Sequence, residues 1–122
     1  MSPALDLQVE QAPGGALHPG DWVRGRVTVL GGGSSRALKV TLRYRERTDD
    51  YSATAATYEA PPLHTGDLVA RDSFTYAVQL PADALPCHSS ANGELYWEVE
   101  ARSDELGPDT VTQQRLEVAA RR

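Results

Sequence analysis

Apolar and polar positions alternate with a period of two along three stretches of the chain. Val23, Gly25, Val27 and Val29 interleave with Trp22, Arg24, Arg26 and Thr28. Leu38, Val40, Leu42 and Tyr44 do the same with Lys39, Thr41, Arg43 and Arg45, and Leu95, Trp97, Val99 and Ala101 with Glu94, Tyr96, Glu98 and Glu100. That period describes a strand with one face in a core and the other in water. No window keeps a 3.6-residue apolar period for three turns. The alanine-rich run from Ala53 to Ala60 is broken by Thr54, Thr57 and Tyr58 and then by Pro61-Pro62, which speaks against a helix. Turn chemistry separates the periodic stretches: Ala12-Pro13-Gly14-Gly15, His18-Pro19-Gly20-Asp21, Gly31-Gly32-Gly33-Ser34-Ser35, Thr48-Asp49-Asp50 and Ser90-Ala91-Asn92-Gly93. The pattern predicts strands over residues 5–10, 21–30, 38–47, 51–58, 66–80, 93–103 and 109–118. The fifth is too long for one strand and is expected to bend between Ala70 and Ser73. Seven to eight strands punctuated by regular turns predict an all-β, antiparallel, immunoglobulin-like sandwich, with residues 1–122 forming one domain.

Composition narrows the setting. At 122 residues the chain is long enough for one hydrophobic core. No apolar run approaches the roughly 20 residues of a membrane-spanning helix. Met1-Ser2-Pro3-Ala4-Leu5-Asp6 has neither the basic nor the apolar region of a secretory signal, so the expected location is the cytoplasm. Seventeen acidic residues against twelve basic ones give a net charge of −5, which disfavours nucleic acid as a partner. The single cysteine, Cys87, excludes an intramolecular disulfide and a thiolate metal cluster.

Two blocks of sequence go beyond a generic sandwich. The first runs Leu17-His18-Pro19-Gly20-Asp21-Trp22-Val23-Arg24-Gly25-Arg26-Val27-Thr28-Val29 and is followed by Leu38-Lys39-Val40-Thr41-Leu42-Arg43. The second runs Phe74-Thr75-Tyr76-Ala77-Val78-Gln79-Leu80-Pro81, then Pro86, Ser89 and Ser90, then Gly93 to Ala101 with its Trp97-Glu98-Val99-Glu100-Ala101 close. In this order they resemble an arrestin-like domain, nearest in character to the bacterial sporulation-control type. The resemblance implies the sandwich fold and a non-enzymatic role as a protein-interaction or scaffolding module. Members of that family usually carry two sandwiches in tandem, whereas this chain has room for one. The resemblance carries over no functional residue.

The second block also has a physical reading of its own. Pro81 and Pro86 lack the N–H that a ladder needs, so residues 82–91 are expected to cross irregularly between sheets. Gly25 inside a strand marks either a bulge or a place where another backbone or a large side chain comes close, a gap that Trp97 is expected to fill.

Candidate chemistry is sparse. Cys87-His88 is the one adjacent nucleophile–base pair, but sequence neighbours in extended chain point apart, so no catalytic residue is assigned. His18, His64 and His88 lie far apart in loops, and the acidic turn from Ser103 to Asp109 lacks the dense ligand spacing of a calcium loop, so neither a metal nor a cofactor is expected. Gly31-Gly32-Gly33 has no phosphate-loop context and reads as a hairpin tip. The charged faces are more informative. Arg24, Arg26, Lys39, Arg43, Arg45 and Arg47 fall on the outward parity of two strands taken as neighbours, with Glu94, Glu98 and Glu100 outward on a later strand. These charges form either a solvated face of cross-strand pairs or a stripe that docks an acidic or phosphorylated segment. Trp22 shares the arginine parity: either the parity slips at the turn and it caps the core, or an aromatic is displayed beside arginines, which is the composition of a binding hot spot. The candidate partner-binding residues are therefore Trp22, Arg24, Arg26, Arg43 and Arg45, with a protein as partner. The sheet edges offer a second route: strands 5–10 and 51–58 are the expected edges. The second has few charges and no proline before Pro61, so a homodimer through an edge strand, or contact with another arrestin-like chain, is a further expectation. The alternative function is a small-ligand or carbohydrate-binding sandwich using Trp22, Tyr51 and Tyr58.

Overall fold

The computed structural model describes residues 3–10 and 15–119; the turn expected at Ala12-Pro13-Gly14 and the end of the chain, Ala120-Arg121-Arg122, lie outside them. The described residues form β1 (Ala4–Val9), β2 (Trp22–Gly31), β3 (Ala37–Thr48), β4 (Ser52–Glu59), β5 (His64–Thr65), β6 (Ser73–Gln79), β7 (His88–Ser90), β8 (Gly93–Asp104) and β9 (Thr110–Leu116), and no helix. A small sheet runs β1-β2-β6 and a large one β4-β3-β8-β7, with β5 beside β3 and β9 beside β8. All these strand pairings are antiparallel.

The inward parity of each strand builds the core. Leu7, Val23, Val27, Val29, Tyr76 and Val78 come from the small sheet, and Leu38, Val40, Leu42, Tyr44, Trp97, Val99 and Ala101 from the large one. Trp97 is 2% exposed, as its parity between Leu95 and Val99 requires. Its indole Nε1 donates to the Leu85 carbonyl at 2.7 Å, and the Tyr44 hydroxyl donates to the Pro86 carbonyl at 3.2 Å. The proline-rich crossing from β6 to β8 is thereby tied down over the aromatic pair, whose ring centroids are 4.9 Å apart.

One expectation is met and three need correction. The predicted strand 66–80 is not continuous: only Ser73–Gln79 is strand, preceded by a turn in which Arg71 takes φ 78°. The break falls where the length argument put it. Gly25 is filled by Tyr76, not Trp97: a Cβ there would sit 2.0 Å from the Gln8 carbonyl oxygen and 2.5 Å from the Tyr76 hydroxyl. That hydroxyl donates to the same carbonyl at 2.9 Å, and burial pushes the phenol pKa up to about 12. Gly31 to Gly33 is no hairpin tip, because β2 and β3 belong to different sheets; Gly33 instead bridges to Leu68, and a Cβ on Gly32 would lie 2.7 Å from the Leu68 carbonyl. Finally, the crossing expected to be irregular over residues 82–91 is so only in part: past Pro86, His88–Ser90 forms β7 against β8, and like the two-residue β5 it is too short for its alternation to be read from sequence.

The sheets differ in width. β1 packs against β9 and β6 against β3, while β4 projects further out, with every residue but Ala56 exposed.

Candidate interaction surfaces

The arginines grouped by parity in the sequence separate onto opposite outer faces. Arg24 and Arg26 lie on β2 of the small sheet, and Lys39, Arg43, Arg45 and Arg47 on β3 of the large one. The expectation of neighbouring strands fails because residues 31–36 cross from one sheet to the other instead of turning back as a hairpin. Trp22, Arg24 and Arg26 stay together; Arg43 and Arg45 do not join them.

On the large sheet, β8 runs between β3 and β9, and its outward carboxylates sit between two columns of cationic and amide side chains. Register places Arg43 opposite Glu98, Arg47 opposite Glu94, Arg115 opposite Glu98 and Gln113 opposite Glu100. Glu100 is the best satisfied. It pairs with Arg43, takes a 3.0 Å bond from Arg102 and a 2.9 Å bond from Gln113. Burial pushes its pKa up, but those bonds and the charges of Arg43 and Arg102 bring it below the usual carboxylate range. Glu94 is gripped by both guanidinium nitrogens of Arg115, at 2.7 and 2.9 Å, which lowers its pKa. Arg115 also lies 3.9 Å over the Tyr96 ring.

Glu98 is different. It is 5% exposed, and its Oε1 has no hydrogen-bond partner, only Arg43 at 3.4 Å and Arg45 at 3.9 Å. Burial raises its pKa by more than the two arginines lower it. Arg43 and Arg45 spend their other nitrogens on the Thr54 hydroxyl, at 2.8 and 2.6 Å. This face is an internally paired ladder, and its buried carboxylates were not legible in the alternation because strand parity reports side, not depth.

The small sheet presents the opposite case. Trp22 is 49% exposed, with the Arg24 guanidinium 5.6 Å over its ring. Of the two geometries open to Trp22, the structure has it displayed beside arginine rather than capping the core. Arg24 and Arg26 are exposed and form no ion pair among the described residues. Across β6 their neighbours are Ala77 and Thr75, too short to screen them. The sequence did not reveal that β6 is itself a sheet edge, because it lay hidden in the overlong predicted strand.

The other candidates do not converge. The Cys87 thiol donates to the Leu116 carbonyl at 3.4 Å. His18 is placed by its own turn, where its backbone N–H donates to Asp21 Oδ2 at 2.8 Å, and the His64 ring contacts the Asp67 carbonyl at 3.0 Å. In the β8–β9 turn the Asp109 carboxylate accepts from the Glu105 N–H at 3.0 Å and from Arg102, so it caps the loop. No group of three or more potential metal ligands occurs among the described residues. Trp22, Tyr51 and Tyr58 occupy three separate places: the small-sheet face, the β3–β4 turn, where the Tyr51 hydroxyl donates to Glu46 at 3.0 Å, and the inner side of β4, where Tyr58 lies 5.9 Å from Trp97.

The sequence matches no family model and no curated protein. In three dimensions the chain is similar to the crystal structure of Spo0M, the sporulation control protein of Bacillus subtilis, with a TM-score of 0.67 and 22% identity. The match covers 98% of this chain and 50% of that one, so this chain spans half the length of that structure. The likeness establishes the arrestin-like β-sandwich fold.

Proposed function

Starting from the arrestin-like fold, we propose that the chain is a non-enzymatic protein-interaction module that binds its partner on the outer face of the small sheet around Trp22, Arg24 and Arg26. The observation that carries this reading is the contrast between the two faces. The large-sheet arginines Arg43, Arg45, Arg47, Arg102 and Arg115 each have a carboxylate within 4 Å, whereas Arg24 and Arg26 have none among the described residues. A half-exposed tryptophan with an unpaired arginine beside it matches the residue types that dominate binding hot spots. That Spo0M is a sporulation control protein agrees with such a module.

The test is affinity capture from native lysate with matched variants. A genuine partner is retained by wild type and by Lys39→Glu on the opposite face. It is lost with the Arg24→Glu/Arg26→Glu double variant and with Trp22→Ala. A partner captured equally by wild type and the double variant would move the binding surface elsewhere.

A further inference from the structure

β6 is an unguarded strand edge. Ser73–Gln79 contains no charge and no proline, is rich in β-favouring Phe, Thr, Tyr and Val, and pairs with β2 without a register shift. Natural sheets guard an exposed edge with charge, proline or a bulge. β4, the outer strand on the same side of the large sheet, has a bulge at Ala55 between its pairs with Tyr44 and Arg45. Bonds from Val29 N to Asp72 O at 2.8 Å and from Leu80 N to Asp21 O at 2.9 Å set the alternation of the β2–β6 ladder. Phe74, Tyr76 and Val78 therefore bond to β2, and the N–H and C=O groups of Ser73, Thr75, Ala77 and Gln79 point to the open side.

Two further observations say what fits there. The small sheet is one strand too narrow. Among the described residues the small sheet ends at β6, which stands against β3, and on the inner side of β4 Tyr58 is 38% exposed although its ring packs on Trp97. A strand added beside β6 would lie over that inner side at the usual sheet separation of about 10 Å, near the partly buried Phe74 and Leu63. On the outer face the added strand would run about 9–10 Å from β2, two strand spacings away. An arginine laid across Ala77 or Thr75 spans most of that distance, so Arg24 and Arg26 would meet acidic side chains on the newcomer.

We propose that the β6 edge receives an extended segment of a partner protein as a fourth strand of the small sheet, with apolar residues turned inward to Tyr58 and Phe74 and acidic residues alternating outward to Arg24 and Arg26. This rests on the binding face proposed above and adds the backbone geometry and the chemistry of the partner. A second copy does not supply the pattern. Pairing β6 with β6 would put two uncharged strands between two columns of arginine, with no carboxylate to meet them.

The probe is a fluorescein-labelled peptide of about nine residues, a common strand length, in which valine and glutamate alternate. Fluorescence anisotropy reports its binding to the full chain. The glutamate peptide binds, and its lysine counterpart binds about tenfold more weakly or worse. Methylating alternate backbone nitrogens of the peptide abolishes binding. Ala77→Pro, which removes an outward N–H without touching the β2 ladder, does the same. Arg24→Glu/Arg26→Glu reverses the preference toward the lysine peptide. Should Ala77→Pro fail to fold, the methylated peptide poses the same question to the wild-type chain. Equal binding of methylated and unmethylated peptides overturns strand addition while leaving the Trp22–Arg24–Arg26 face intact. Equal binding of glutamate and lysine peptides overturns the assigned chemistry. A dimer sensitive to Ala77→Pro in the absence of peptide makes the occupant a second copy and also overturns the inference.

Discussion

Trp97 shows how one side chain joins the two halves of the core. Its ring packs on Tyr44 and Tyr58, and its Nε1–H satisfies the carbonyl of Leu85 in the irregular part of the crossing, between Pro81 and Pro86. Truncating it removes a large buried aromatic and strands that carbonyl. Trp97→Ala is expected to cost about 3–5 kcal/mol, read as a shift in the urea midpoint. An unchanged midpoint would mean that the crossing, and not the indole, holds the core closed. Gly25 makes the complementary point, since only a residue without Cβ admits both the Gln8 carbonyl and the Tyr76 hydroxyl at that spot.

At the scale of elements, β3, β8 and β9 share a charged face whose two buried carboxylates have opposite energetic signs. The folded-state pKa of Glu100 is lowered, so its contribution is full above the unfolded carboxylate pKa and is lost as pH falls through the folded value. That of Glu98 is raised, so the folded chain binds the proton more tightly than the unfolded one. Its charge therefore opposes folding at neutral pH, and the penalty fades on acidification. Glu100→Gln is expected to destabilise by about 2 kcal/mol at neutral pH, with the deficit shrinking in acid. Glu98→Gln is expected to raise the melting temperature at neutral pH, with the gain vanishing in acid. Thermal melts of both variants across acidic and neutral pH decide this, and a loss of stability in Glu98→Gln would show that Arg43 and Arg45 need its charge.

For the whole molecule, the question is which edge meets a partner. The strands expected as edges from sequence, at residues 5–10 and 51–58, correspond to β1 and β4, and both lie at sheet edges. Lack of protection on β4, the premise of a homodimer through it, needs revision: the extra residue Ala55 interrupts its register, and a bulge of this kind twists an edge away from pairing. With a net charge of −5 per chain adding repulsion, sedimentation at high micromolar concentration is expected to give a monomer. A dimer dispersed by Thr54→Pro would restore the β4 pairing.

Alternation along the chain was enough to determine the class, the inward residues of β2, β3 and β8, and the burial of Trp97. Each depends on which side of a strand a residue faces, and a period of two encodes that directly; the break before β6 followed instead from the excessive length of the predicted strand. Sheet membership is not encoded in this way. The same parity put Arg24 and Arg43 on one imagined face, and only the crossing at residues 31–36 sends them to opposite sides of the sandwich. Depth was equally hidden, because Glu98 is buried by the arginines flanking β8, which arrive from strands distant in sequence. The open edge of β6 and the exposure of Tyr58 on β4 are likewise tertiary facts. They arise because three strands were laid over a wider sheet, a count that emerges only when the strands pair.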